Sequence, residues 1–116
     1  MVSKFVTGIT IREFTWLKNS KGFCHAGGGL ALKPMDMAKI GELVLNKGTW
    51  KGRRIISEGW IERATTPRFM TEFDMSGYGY FWWTKDYDLG EGRTTRVLSS
   101  RGAGGQYTHV IPDYGI

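Results

Sequence analysis

Glycine punctuation is the feature that most narrows what this chain can become. Seventeen of the 116 residues are glycine, and they cluster, as Gly27-Gly28-Gly29 and as Gly102, Gly104 and Gly105 around Ala103. Clusters set between apolar and aromatic stretches mark specific tight passages of backbone rather than a flexible linker. Short elements joined by sharp turns are therefore expected, and residues 1–116 read as one domain at most. A chain of this length buries about two-thirds of its unfolded surface, enough for one small core. There is one cysteine, Cys24, so no intrachain disulfide can help. The core must rest on packing, and five Trp and five Tyr supply much of the area.

The clearest element is a helix over residues 34–47. Pro34 suits a first helical turn, where its missing N–H costs nothing. Asp36 favours the positive end of the helix dipole. Met37, Ile40, Leu43 and Val44 recur at spacings of three and four and form one apolar face. Gly48 stands at the expected stop. Residues 48–54 read as a tight glycine-bounded turn. A second helix starts at Ser57, a good N-cap, with Ile56 and Ile61 spaced as a hydrophobic staple. Its residues Trp60, Ile61 and Ala64 are expected to point inward, and Pro67 stops it.

Elsewhere the reading is of loops and strands. Ile9, Ile11 and Phe14 suggest a short extended stretch, residues 18–29 a loop, and Leu30-Ala31-Leu32 a short apolar link. Residues 68–76 are expected to be loop. Residues 78–84 are apolar on both faces, as a covered central strand would be, and residues 85–92 read as a polar connection. Residues 94–100 form a second strand, Gly102 to Gly105 a turn, and residues 106–111 a third strand. Short connections favour an antiparallel meander, so the fold class is α+β. Pro112-Asp113-Tyr114-Gly115 looks like a turn leading into a further strand.

The formal net charge is +5, but the basic residues are scattered and only Lys51-Gly52-Arg53-Arg54 clusters. Nucleic-acid binding needs a basic stripe or a reading module, and neither is visible. No apolar run approaches the roughly 20 residues of a membrane span. The start of the chain lacks the apolar centre of a signal peptide. The compartment stays open.

An activated serine needs a base within hydrogen-bond reach. No serine here has Lys three residues on, the nearest formal match being Thr15 with Lys18, and no Gly-x-Ser-x-Gly elbow exists. Cys24 and His25 are adjacent, so their side chains diverge in an extended segment, and His109 lies far along the chain. One Cys and two His do not make a tetrahedral zinc site without carboxylates. Neither glycine cluster has a dinucleotide or phosphate-loop ending, although a turn exposing backbone N–H groups can serve as an oxyanion hole. Asp86, Asp88 and Glu91 read as solvated loop residues. Tyr78, Tyr80, Trp82 and Trp83 read as core rather than cleft. No cofactor and no metal is implied.

Four stretches, in order, carry a family resemblance. They are residues 28–41 (Gly28-Gly29-Leu30 to Lys39-Ile40-Gly41), residues 52–60 (Gly52-Arg53-Arg54-Ile55-Ile56-Ser57-Glu58-Gly59-Trp60), Gly77-Tyr78-Gly79-Tyr80-Phe81-Trp82-Trp83, and residues 102–112 (Gly102-Ala103-Gly104-Gly105-Gln106 to Pro112). Together they resemble the C-terminal third of the serine β-lactamase and penicillin-binding-protein family, which includes class C β-lactamases, carboxylesterases and 6-aminohexanoate-dimer hydrolases. The resemblance covers about three-quarters of the chain. It implies a partial β-lactamase/transpeptidase-like fold, with residues 1–116 a single partial domain. It also implies a small-molecule amide or ester substrate, attacked by a serine with Lys and Tyr as proton carriers through an acyl-enzyme.

Counting back from Pro112 places Ser100-Arg101-Gly102 at the family's third motif, where Lys or His with Thr-Gly is usual; only the Gly is kept. By the same alignment the backbone N–H of Ala103 is one oxyanion donor. Arg101 is either an anchor for a substrate carboxylate or a surface cation. The Ser-x-x-Lys and Tyr motifs are absent, so the expectation is an incomplete gene product or fragment without turnover of its own. The alternative is a non-catalytic binding or structural module with degenerate family features. An upstream coding region carrying Ser-x-x-Lys would separate the two.

Overall fold

A computed structural model describes residues 7–116; the part of the amino-terminal reading that falls on residues 1–6 lies outside them. The fold is mixed, with helices and mostly antiparallel strands. β1 (Phe14–Trp16) pairs antiparallel with β2 (Leu30–Leu32), closing the glycine-rich loop between them. Ile9 and Ile11 lie ahead of β1 rather than in it, and both are fully buried. They join Leu43 and Trp50 in one core cluster, with Phe14, Trp16 and Leu32 packed against it.

Helix α1 spans Pro34–Leu45. Lys33 provides no side-chain cap, and Asp36 turns to Lys39, whose ammonium also reaches the Thr10 carbonyl at 3.2 Å. The stop differs in detail from the sequence expectation. Lys47, not Gly48, takes the first left-handed position, with φ 52°. The Lys47 N–H donates to the Val44 carbonyl and the Gly48 N–H to the Leu43 carbonyl at 2.8 Å. This is the double bond of a Schellman ending, which caps two orphan carbonyls at once. Gly48 then has φ 89° and leads into a two-residue hairpin of β3 (Thr49–Trp50) and β4 (Arg53–Arg54).

Helix α2 spans Glu58–Thr65, and the Ser57 Oγ accepts from the Trp60 N–H at 3.2 Å, as its N-cap role requires. Ile61 and Ala64 are buried as expected. Trp60 is not: it is 47% exposed and stacks on Tyr80 with ring centres 5.7 Å apart.

The main sheet has five antiparallel strands in sequence order: β5 (Phe69–Met70), β6 (Gly77–Tyr78), β7 (Trp83–Gly90), β8 (Arg93–Arg101) and β9 (Tyr107–Val110). The meander was legible; three boundaries were not. The aromatic run 78–84 is not one strand. Residues 79–82 turn, with the Gly79 N–H donating to the Trp82 carbonyl and Phe81 at φ 64°. That turn is seated under the end of α2, where the Tyr80 N–H donates to the Ala64 carbonyl at 2.9 Å and a side chain on Gly79 would meet the same oxygen at 2.2 Å. The expected connection 85–92 is mostly strand, because its polar residues pair across the hairpin. Arg96 holds Asp86 through two bonds of 2.7 and 2.8 Å, so Asp86 is a strand residue, and only Glu91 and Gly92, both at positive φ, make the turn. Finally, the expected loop 68–76 contains β5, paired with β6.

Cross-strand partners share a face of a sheet. Thr84, Leu98 and Val110 are partners in register and face the helices. Leu98 packs on a second core cluster of Val44, Ile61 and Val110, and the Thr84 hydroxyl donates to the Thr65 carbonyl at the end of α2. Gly41 lets α1 come this close to β9, since a Cβ there would sit 2.9 Å from the Thr108 methyl.

Candidate active site at the turn between strands β8 and β9

The four residues singled out from the sequence lie at one end of the sheet, but on different sides of it. Ser100 opposes Thr108 in register and so lies on the helix-facing side with Leu98. Arg101 opposes Tyr107 and lies on the other side, with Ser99, His109 and Trp83. Gly102 and Ala103 sit in the exposed turn. The structure therefore brings Gly102 and Ala103 together at the tip and separates the Ser100 and Arg101 side chains.

The turn is built by its own backbone. The Gly102 N–H donates to the Gln106 carbonyl at 2.8 Å, and the Gly105 N–H returns to the Gly102 carbonyl at 3.2 Å. Ala103 and Gly104 are the two central residues of that turn. Gly104 has φ 89°, which a type II turn requires at its third position and which only glycine adopts freely. The amides of Ala103 and Gly104 make no hydrogen bond among the described residues. They are thus two backbone donors with capacity to spare, on exposed residues.

Arg101 is neither a free anchor nor a loose surface cation. Its Nη1 donates to Asp74 Oδ2 at 2.8 Å, its Nη2 to the Ser76 hydroxyl at 3.1 Å, and its guanidinium lies 4.7 Å from the centre of the Trp83 ring. Asp74 is itself held in a knot of short bonds. Oδ2 accepts from the Ser76 hydroxyl at 2.7 Å, and Oδ1 accepts from the Ser76 N–H at 3.1 Å and the Thr71 hydroxyl at 3.0 Å. The Ser76 hydroxyl and then the Arg101 guanidinium hold the Asp74 carboxyl well below the usual carboxylate range. Sequence reasoning missed this group. The strand alternation puts Arg101 beside Ser99, but nothing in the sequence ties either to Asp74.

A carboxyl depressed in the folded state stabilises fully above its unfolded value, about 3.9, and loses that contribution as pH falls towards the folded value. Asp74→Asn is therefore expected to lower the urea midpoint at pH 7, with a gap to the parent that narrows as pH drops below about 4. Equal gaps at pH 7 and pH 3 would contradict the ionic role. Asp86, lowered by Arg96, titrates in the same window and remains in both proteins.

A second pair was also invisible in the sequence. The Ser99 Oγ lies 2.8 Å from His109 Nδ1 across the β8–β9 ladder. This is nucleophile-to-base distance, but Ser99 is only 2% exposed, so a substrate carbonyl cannot reach its oxygen in this conformation. Cys24 is half-buried, in an isolated bridge to Lys18, and His25 lends its carbonyl to the Trp16 indole. The two do not form a pair, as the sequence suggested. Among the described residues no group of three or more His, Cys, Asp or Glu side chains gathers to hold a metal, and no helix is long and apolar enough to cross a membrane.

Against known proteins, no family model matches the chain. The chain is similar to a 6-aminohexanoate-dimer hydrolase of Paenarthrobacter ureafaciens, 28% identical over 88 residues. The matched region takes in 68% of this chain and 22% of that protein, so the chain spans about a fifth of the relative's length. The relation is distant, and it points to a hydrolase-related function.

Proposed function

We propose that these residues form the sheet-bearing part of a serine hydrolase of the β-lactamase and penicillin-binding-protein type. In this reading the whole protein cleaves an amide or ester. A serine oxygen attacks the carbonyl, the amine or alcohol leaves with a proton, and water then releases the acyl group. The turn after β8 supplies one donor to the oxyanion, the N–H of Ala103. The observation that carries the reading is that this amide is exposed and uncommitted, at the position the family resemblance assigns to it. The distant hydrolase relative supports it. Glycine at 102 and 104 lets a substrate approach the backbone closely, and preorganised N–H groups are the usual means of stabilising such an oxyanion.

The nucleophile in this reading is not among these 116 residues, which contain no Ser-x-x-Lys. The purified chain is accordingly expected to show neither steady turnover of p-nitrophenyl acetate or nitrocefin nor a stoichiometric acyl adduct by mass spectrometry. A single adduct at Ser99, lost in Ser99→Ala, would mean that the chain carries its own active site through the Ser99–His109 pair, and the assignment of roles above would fall.

A further inference from the structure

The turn between β8 and β9 has almost no packing of its own. Residues 102–105 are all exposed, Gly104 and Gly105 both stand at φ 89°, and the Gln106 side chain lies across them. Glycine-rich backbone of this kind loses much entropy when ordered. Something must hold it if its amides are to point in a fixed direction. The nearest rigid group is Arg101, the last residue of β8.

We propose that Arg101 is a positioning residue, which fixes the Gly102–Gly105 turn by locking the end of β8 to the loop 71–76. The role rests on the hydrolase reading for its meaning in catalysis, while its mechanical content stands on the geometry alone. Three contacts constrain the guanidinium: Asp74, Ser76 and the Trp83 ring. A planar fork held in two directions and stacked on an aromatic face keeps little freedom. Its far partner is rigid too. The Thr71 N–H donates to the Ser76 carbonyl at 2.8 Å, the Met75 N–H to the Thr71 carbonyl at 3.1 Å, and Lys85 reaches the Asp74 carbonyl at 2.8 Å from β7. The loop is thus tied to β7 and β8 together, and its order passes through one side chain to the turn. Two of its five N–H donors are spent on Asp74 and Ser76, and the acidic residue it pairs with is the chain's own Asp74.

The test is amide exchange on the full 116-residue chain, read by NMR or mass spectrometry. Arg101→Gln is expected to speed exchange roughly tenfold or more at the hydrogen-bonded amides of Thr71, Met75 and Ser76 and also at those of Gly102 and Gly105, since loss of a hydrogen bond to a charged group is worth at least that factor. Arg96→Gln, which breaks an exposed ion pair farther back on β8, is expected to leave both segments within about twofold. The double variant Asp74→Asn with Arg101→Gln should be no faster at the turn than Arg101→Gln alone, because both changes break one link. Arg101→Lys should recover less than half of the lost protection at the turn, an ammonium being unable to bond Asp74 and Ser76 while lying flat on Trp83. Unchanged exchange at Gly102 and Gly105 in Arg101→Gln would overturn the proposal, as would full additivity in the double variant or full recovery by lysine. None of these readouts depends on hydrolysis, so the proposal can fail while the hydrolase reading stands, and the reverse.

Discussion

Replacing Gly48 by alanine is expected to cost the fold roughly 3–4 kcal/mol. Two terms add. Gly48 stands at φ 89°, where an L side chain costs about 1–2 kcal/mol. A Cβ there would also lie 2.2 Å from the Ile56 carbonyl oxygen. That oxygen belongs to the residue beside the α2 N-cap and accepts from Arg54, so relief requires moving the entry to α2. Forced overpacking of this kind costs about 1–3 kcal/mol. The Gly48 carbonyl also accepts from the N–H groups of Ile55 and Ile56, at 2.9 and 3.1 Å, and any shift weakens both. At about 4–8 °C per kcal/mol for a small domain, the melting temperature should fall by roughly 15 °C or more. Gly52→Ala is the internal comparison. Gly52 has φ 78° but open space around its Cβ position, so it should carry only the conformational term, about 1–2 kcal/mol. Similar losses at the two sites would show that the crowding against Ile56 is relieved cheaply.

The second large effect concerns chemistry rather than stability. Ala103→Pro removes one N–H and little else. Ala103 is the second residue of a turn in which Gly104 has φ 89°, and proline is favoured at that place in a type II turn. The Ala103 amide makes no hydrogen bond among the described residues, so no bond of the fold is lost with it. In an active hydrolase that uses this amide against an oxyanion, loss of the donor is expected to lower kcat by about 10²–10³-fold, with KM little changed.

The elements that could be read in advance are those whose signals are local. Pro34, the apolar face of α1 and the Ser57 cap are each decided within a few residues, and they came out close to expectation. The antiparallel meander followed from short connections. What could not be read depends on contacts between distant segments. Gly79 looked like one residue of an aromatic strand. It is a turn because the end of α2 occupies the space its side chain would need. The polar stretch from Lys85 looked like a connection because its pairing partners lie on the next strand, and Asp86 makes sense only opposite Arg96. At the candidate site the turn itself was legible from Gly102, Gly104 and Gly105. The lock on Arg101 was not, since Asp74 is 27 residues away in sequence. Ser99 and His109 were likewise matched only by the register of β8 with β9.

The most direct test grafts residues 28–112 of this chain, which carry the four family-like stretches, into the 6-aminohexanoate-dimer hydrolase of Paenarthrobacter ureafaciens in place of the corresponding stretch, and measures hydrolysis before and after Ala103→Pro. The expected result is a folded graft that retains amide hydrolysis, loses about 10²–10³-fold of kcat with proline at 103, and stays within a few-fold of the parent with glycine there. A folded, active graft whose rate is unmoved by Ala103→Pro would contradict the claim that this turn serves the oxyanion, and a graft that folds but hydrolyses nothing would contradict the assignment of this chain to that kind of enzyme.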